Sequence, residues 1–407
     1  MSLRSPYKFF KSYLASSRCF SLHKLSDRHS LLRKTCRDFS EKELKPVAAH
    51  LDKEGEFPAE QISKLGRLGL LGITADCRFG GSGENTLGLA IAIEELSKGC
   101  GGTGAIVSIH NALYVNLLDT FGTEQQKRQF LTGFTSKHLG CFALSESDAG
   151  SDVSAISTTA QLDGDFYVLN GRKTWVTSGH EGKAAVVFAT IDQTLKHKGN
   201  FCSLSITAFI VPVPIQGLTM GRLEDKMGIR ASSTCDFHLE NVCVPKDNLI
   251  GKTGDGFLIA MKQLEKARVG IASQALGIGQ AALELAVQYS SERKAFGHPL
   301  NQLQAVKLRL AEMATKLEAA RLLVWRAAAI LDEGERATKY TSMAKLAASE
   351  AATFVSHGAI QILGGMGYIK DMPAERYYRD ARITEIYAGV NDVQKLLIAD
   401  MVIKEYT

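Results

Sequence analysis

The sequence predicts an α+β protein built in three parts: a helical region, a β-rich region and a second helical region. Three observations carry this expectation. Apolar residues recur at helical spacing over residues 27–135. Over 136–245 the period shortens, and Val, Ile, Phe and Thr become frequent, as strands favour. Over 246–407 helical spacing returns, with long Ala-rich runs that suit close helix packing. A chain of 407 residues, 45% of them hydrophobic, is long enough to bury a sizeable core. It contains no apolar run of about 18 residues, so no transmembrane segment is expected.

The first 26 residues differ from everything after them. They hold Arg4, Lys8, Lys11, Arg18 and Lys24, seven serines and no acid. Tyr7, Phe9, Phe10, Tyr13 and Leu14 can line one face of a short helix. This composition predicts a mitochondrial transit peptide, and hence a matrix protein; a disordered basic tail is the plainer alternative. The whole chain has 48 Lys plus Arg against 43 Asp plus Glu, a net charge of +5. Those five leader cations account for the entire excess, so residues 27–407 are charge-balanced. The body therefore offers no reason to expect a nucleic-acid partner.

Within the first helical region, Leu31, Leu32, Cys36 and Phe39 predict one amphipathic helix, and Leu87, Ala90, Ile91 and Ile93–Leu96 begin another. In the β region, Phe166–Leu169 and Lys173–Thr177 flank Asn170-Gly171, which predicts a two-residue hairpin turn there. Ala184–Thr190 and Ser203–Pro212 read as further strands. In the last region, Leu303, Val306, Leu310, Met313 and Leu317 form a single stripe. The eight cysteines show no CxxC pair and the ten histidines no ligand spacing, so reduced thiols and no metal site are expected.

Four segments invite a functional reading. They are Phe142-Ala-Leu-Ser-Glu-Ser-Asp-Ala-Gly-Ser151-Asp152; Trp175-Val-Thr-Ser178; Arg293-Lys-Ala-Phe296-Gly-His-Pro-Leu-Asn-Gln-Leu-Gln304; and Gln361-Ile-Leu-Gly-Gly-Met-Gly367, followed by Arg379-Asp-Ala-Arg-Ile-Thr-Glu-Ile-Tyr-Ala388-Gly389. Singly, each has a bland explanation: a turn, a core aromatic, solvated helix residues, a helix stop. In this order, on an α–β–α chain, they resemble the acyl-CoA dehydrogenase family. The stretches Gly270-Ile-Ala-Ser-Gln-Ala-Leu-Gly277, Leu346-Ala-Ala-Ser-Glu-Ala-Ala352 and Met372-Pro-Ala-Glu-Arg376 point to its short-chain, butyryl-CoA branch. The resemblance runs from residue 27 to the C-terminus.

The resemblance implies an N-terminal helical domain (27–135), a middle β-barrel domain (136–245) and a C-terminal four-helix bundle (246–407), assembled as a homotetramer. It implies FAD as cofactor, an acyl-CoA substrate and an electron-transferring flavoprotein as electron acceptor. Carried over residue by residue, Phe142, Ala143, Leu144, Ser145 and Ser151 would line the flavin, and Trp175, Val176 and Thr177 would cover its ring. Arg293, Phe296, Gln304, Gln361, Ile362, Leu363, Gly364 and Gly365 would hold the pyrophosphate and adenosine of FAD from a neighbouring subunit. Val390, Asn391 and Asp392 would complete the flavin contacts. Ser151, Glu265, Lys266, Ala267, Arg268 and Gly389 would meet the acyl-CoA.

One departure bears on mechanism. The family removes the α-proton of the thioester with a carboxylate while the β-hydride passes to flavin. In the short-chain branch that base is the Glu of Tyr-Glu-Gly-Thr; here the motif reads Tyr387-Ala388-Gly389-Val390. The alternative position in other members, on the helix just before the Arg, is Ala267. Ala388 is therefore the catalytic position without its carboxylate. Glu385, Glu265 and Asp392 are the nearby acids in sequence. Three readings follow: a substitution introduced to trap a complex, a dehydrogenase with a relocated base, or a protein that binds FAD and acyl-CoA without turnover.

Overall fold

The computed structural model describes residues 25–192 and 205–407. The expected leader falls outside the described residues except for its last two, of which Ser26 caps the first helix by accepting the His29 N–H at 3.2 Å. The helical first part comprises α1 (Asp27–Phe39), α2 (Ala48–Glu54), α3 (Ala59–Arg67), α4 (Thr86–Gly99), α5 (Gly101–Ile109), α6 (Asn116–Phe121) and α7 (Glu124–Phe130). The predicted stripe of α1 is narrower than expected: Cys36 and Phe39 are buried, whereas Leu31 points to solvent. Leu31 and Leu32 are neighbours, and adjacent helical residues diverge by about 100°, so one of them must face away from a narrow core contact.

The middle part is a single eight-stranded sheet of β1 (Gly140–Ala143), β2 (Thr159–Asp163), β3 (Phe166–Thr177), β4 (Ala184–Thr190), β5 (Ile206–Pro212), β6 (Leu218–Met220), β7 (Thr234–Pro245) and β8 (Leu249–Ile250). Its strand path runs β6-β7-β3-β2-β4-β5-β8, with β1 paired in parallel to β4. β4 and β5 are buried along almost every residue because apolar clusters cover both faces of the sheet.

The predicted Asn170-Gly171 turn is not there. β3 runs straight through both residues, and the hairpin closes earlier at Gly164, where φ is +56°. Asn170-Gly171 instead marks a register shift against β7. A Cβ on Gly171 would lie 2.5 Å from the Thr158 hydroxyl oxygen and 2.7 Å from its Cα. Glycine is used for a close backbone approach within a bulge, a role that shares its sequence signal with a turn.

The last part is dominated by three long helices, α8 (Gly256–Glu292), α9 (Gln304–Asp332) and α10 (Thr338–Leu363). A small ribbon of β9 (Lys294–Ala295) and β10 (His298–Pro299) joins the first two. α11 (Gly365–Tyr368), α12 (Ala374–Ile383) and α13 (Asn391–Tyr406) complete the bundle. Leu276, Leu317, Val324 and Val355 interlock with many alanines of α8 and α10 in its core. Each such aliphatic side chain contributes roughly 1.5–3 kcal/mol by leaving water. The predicted α9 stripe holds, with Met313 and Leu317 buried and Val306 and Leu310 packed at its edge. The expected order of helical, β and helical parts is the order observed.

His110, in a π-type turn after α5, ties the first part to the sheet. Its Nε2–H donates to the Phe134 carbonyl at 2.8 Å, and its Nδ1 accepts the Gly140 N–H at 3.1 Å. Burial pushes this imidazole down to about 4. The unfolded chain takes up a proton near pH 6.5 that the folded chain refuses, so stability falls as pH drops through that interval. The loss attributable to His110 is roughly 2–3 kcal/mol between pH 7.5 and pH 4.5. Buried Asp380, raised to about 6 by desolvation, changes stability in the opposite sense. Denaturant midpoints of the parent and His110→Gln at both pH values therefore isolate the effect: the variant should lose less stability on acidification.

Candidate functional site

The candidate residues fall into three groups. The first lies on the sheet. Beyond β1 the chain enters a loop pinned by Glu146, which is buried with Lys173 of β3. Lys173 Nζ donates to Glu146 Oε1 at 2.7 Å and to the Leu144 carbonyl at 3.0 Å. Glu146 also accepts the Ser157 N–H (2.6 Å), the Ser157 hydroxyl (2.7 Å) and the Thr158 N–H (3.0 Å). Burial acts to raise the Glu146 carboxyl, but the Lys173 charge and these donors prevail and hold it at about 2. Beside this lock, β3 shifts register between Lys173 and Val176, and Trp175 takes φ +60°. Its ring is 65% exposed, against the usual habit of a strand Trp. Phe142 packs on Phe188, and Ala143, Leu144 and Val176 are buried in the core. Any ligand contact of the last three falls to their backbone. Ser145, Ser151 and Thr177 remain accessible.

The second group lies near the start of the bundle. Ala388 (φ +53°) and Gly389 (φ +90°) form a turn between α12 and α13. Its position is fixed on both sides: the Tyr387 hydroxyl donates to the Gln274 side-chain oxygen on α8, and the Asn391 side chain bonds Lys345 (2.8 Å) and Ser349 on α10. Gln394 Nε2 donates to the Gly389 carbonyl at 3.0 Å. The Ala388 N–H forms no hydrogen bond among the described residues. Arg268 on α8 is buried, and its Nε and Nη1 have no partner among the described residues. Burial outweighs the opposing charge of Glu385 and, with Arg268 nearby, lowers the Lys345 ammonium to about 8. Of the nearby acids, Glu265 accepts from the Thr338 hydroxyl, and Glu385 accepts from Thr353 and Arg382. Asp392 is exposed in the first turn of α13, and Val390 caps that helix. Lys266 is half-buried and Ala267 buried.

The third group sits at the opposite end of the bundle. α8 and α10 both end there and α9 begins there, which brings Arg293, Phe296 and Gln304 to the same end as Gln361, Gly364 and Gly365. Phe296 is 89% exposed at φ +53°, and a Cβ on Gly364 or Gly365 would meet nothing within 4 Å. Ile362 and Leu363 face the core, so their side chains are not available. From Arg268 to Arg293 the rise along α8 is roughly 37 Å. Within one chain the second group and the third therefore cannot meet one end of the same bound molecule.

A cavity of about 310 Å³ lies elsewhere, between α1, α4, α8 and α9. It is crossed by ion pairs such as Arg321–Glu94 at 2.9 Å and Arg33–Glu95 at 2.7 Å. Four cations and four carboxylates line it, and their charges cancel. It reads as a structural network.

A large flat cofactor suits the groups described. Trp175 offers an open aromatic face beside the buried, unpartnered Thr174 hydroxyl. The glycines at the third group let a backbone approach phosphate, and Arg293 is exposed there to bind it.

Three family models match in register: the acyl-CoA dehydrogenase N-terminal domain over residues 26–138, its middle domain over 141–242 and its C-terminal domain over 254–403. The chain belongs to the acyl-CoA dehydrogenase family. It is 54% identical over 383 residues to the mitochondrial short-chain specific acyl-CoA dehydrogenase of Bos taurus, covering 94% of this chain and 92% of the relative. The butyryl-CoA dehydrogenase of Megasphaera elsdenii superposes with a TM-score of 0.90 at 40% identity, covering 93% of this chain and 99% of that one. A chain solved in work on the electron transferring flavoprotein of Acidaminococcus fermentans gives 0.91 at 41% identity, covering 94% and 99%.

For this family member, motif reading missed Lys345, Gln274 and the Glu146–Lys173 lock. Lys345 did leave a signal: it is a lone cation in the apolar run Met343-Ala-Lys-Leu-Ala-Ala. Lys173 lies in the polar stretch Asn170-Gly-Arg-Lys-Thr174 of β3 and looks like an ordinary solvent-facing strand residue. Only the fold shows that its side chain is buried, between two register shifts of β3 against β7.

Proposed function

We propose that this protein binds FAD and a short-chain acyl-CoA and dehydrogenates the acyl chain at its α,β bond to the 2-enoyl-CoA. Electrons then leave to an electron-transferring flavoprotein. We place it in the mitochondrial matrix, in keeping with the Bos taurus relative, which is named as mitochondrial, and as a homotetramer. The single observation that supports this best is the turn at Tyr387–Val390, pinned between α8 and α10 with a free Ala388 N–H. FAD, when bound, accepts the β-hydride.

The chain's own residues do the rest. The Ala388 N–H is available to the thioester carbonyl oxygen, where negative charge grows as the α-proton leaves; a fixed donor at that point lowers the barrier. Phe142–Ser151 and Trp175–Thr177 orient the flavin, held by the Glu146–Lys173 pair. Arg293, Phe296, Gln304 and the 361–365 segment serve FAD bound in a neighbouring copy, because roughly 28 Å of α8 separates Arg293 from Gln274, where its own Ala388 turn is pinned. What the chain does not supply at residues 388 and 267 is a carboxylate to take the proton.

That absence favours a second reading, a FAD- and acyl-CoA-binding protein with a structural or sensing role. Anaerobic mixing of the FAD-loaded protein with butyryl-CoA separates the two. Binding should perturb the flavin spectrum at once, and bleaching of the flavin absorbance should follow slowly. A perturbed spectrum that never bleaches supports the second reading, and an unperturbed one contradicts both.

A further inference from the structure

We infer that the buried guanidinium of Arg268, with the Lys345 ammonium close by, forms a binding site for a small carboxylate beside the Ala388 turn. The role of that carboxylate rests on the acyl-CoA reading above; the site itself rests on geometry.

Arg268 is only 7% exposed, and its Nε and Nη1 meet no acceptor among the described residues. Buried guanidinium N–H groups left without acceptors are strongly unfavourable, so the Nε and Nη1 of Arg268 mark a missing partner. Lys345 is fully buried, and its side-chain partner is a neutral one, the Asn391 amide oxygen. The acids around these two cations are engaged elsewhere: Glu265 by Thr338, Glu385 by Thr353 and Arg382, and Glu350 by Lys395 at 3.4 Å. The Ala388 turn is held against both helices that carry the cations, yet it presents only a methyl group. An acyl thioester is uncharged and brings no further counter-charge to the two cations. The planar fork of Arg268 suits the two oxygens of a carboxylate better than a spherical anion. A one- or two-carbon acid also matches in size what Ala388 lacks relative to Glu.

In that position the carboxylate takes up the α-proton and becomes the carboxylic acid, which leaves if free and stays on the product if carried by the acyl chain. The electron pair of the broken C–H bond closes the Cα=Cβ bond. The hydride expelled from Cβ goes to oxidised flavin, so the substrate is oxidised and the flavin reduced by two electrons. The carboxylate can be free, such as formate or acetate, or it can be carried on the acyl chain of a dicarboxylic thioester.

The test adds sodium formate to the FAD-loaded protein, with sodium chloride at equal ionic strength as control. Formate should raise the thermal midpoint more than chloride does. It should also accelerate flavin bleaching by butyryl-CoA, with saturation, by roughly tenfold or more. In Ala388→Glu both responses should vanish, because the new side chain fills the site. If that variant does not fold, Lys345→Met should weaken the formate response instead. A substrate-borne source shows as rapid bleaching by glutaryl-CoA without formate, and it supports the site equally. Equal behaviour of formate and chloride in both readouts, with glutaryl-CoA no faster than butyryl-CoA, overturns the inference. So does a formate response undiminished in both variants. A protein whose flavin spectrum ignores butyryl-CoA contradicts the acyl-CoA reading instead, and the thermal arm still judges the site.

Discussion

Ala388→Glu should raise the rate of flavin reduction by butyryl-CoA about 10²–10⁴-fold, the range that a positioned general base contributes. The backbone is ready for the change. Ala388 already sits at φ +53°, and a Glu there bears the same left-handed strain as the Ala it replaces. The new carboxylate would enter the neighbourhood of Arg268, whose Nε and Nη1 lack partners, and of Lys345, which is bonded only to an amide. Both cations favour the charged form, while burial opposes it. The substitution also leaves the backbone N–H in place, so donor and base would act on the same thioester. Stopped-flow absorbance of the FAD-loaded variant against the parent measures the ratio. A ratio near one would mean that another group already removes the proton.

Lys173→Met should cost about 3–5 kcal/mol, the usual consequence of stranding one member of a buried ion pair. The stranded member is Glu146, 5% exposed, which would keep its Ser157 and Thr158 donors but lose its counter-charge. The loop from Leu144 to Thr158 is fastened by this pair, so FAD should bind more weakly as well. The direction with pH follows from Glu146. Its carboxyl is held at about 2, below its ordinary value, so its stabilisation is complete above pH 4.5 and is lost as pH falls toward 2. Denaturant unfolding of the parent and Lys173→Met gives the cost. The double variant Lys173→Met with Glu146→Gln should recover part of it, because no charge is then left buried alone.

Much of the architecture was legible in the sequence because period carries it. Helical spacing marked α9, and continuous Val, Ile and Phe runs marked β4 and β5. The Asn170-Gly171 turn was misread because a bulge and a turn both call for glycine, and only the closeness of Thr158 distinguishes them. The order of the motifs led to the family, and the empty position at Ala388 was visible in one residue. Sequence did not show how the site is held together. Lys345, Gln274 and Lys173 act through partners 46, 113 and 27 residues away in the chain. Those distances close only when the helices and the sheet pack. Sequence likewise listed Val176, Ile362 and Leu363 among ligand contacts, whereas packing turns their side chains into the core.

The central claim is that the scaffold holds an acyl-CoA for α-proton removal but carries no base at residue 388. Deuterium washout from butyryl-CoA labelled at its α-carbon, followed by mass spectrometry on the FAD-loaded protein without added carboxylate, addresses proton removal itself. The account predicts slow washout by the parent and washout about 10²-fold or more faster by Ala388→Glu. Washout by the parent as fast as that of Ala388→Glu would contradict it.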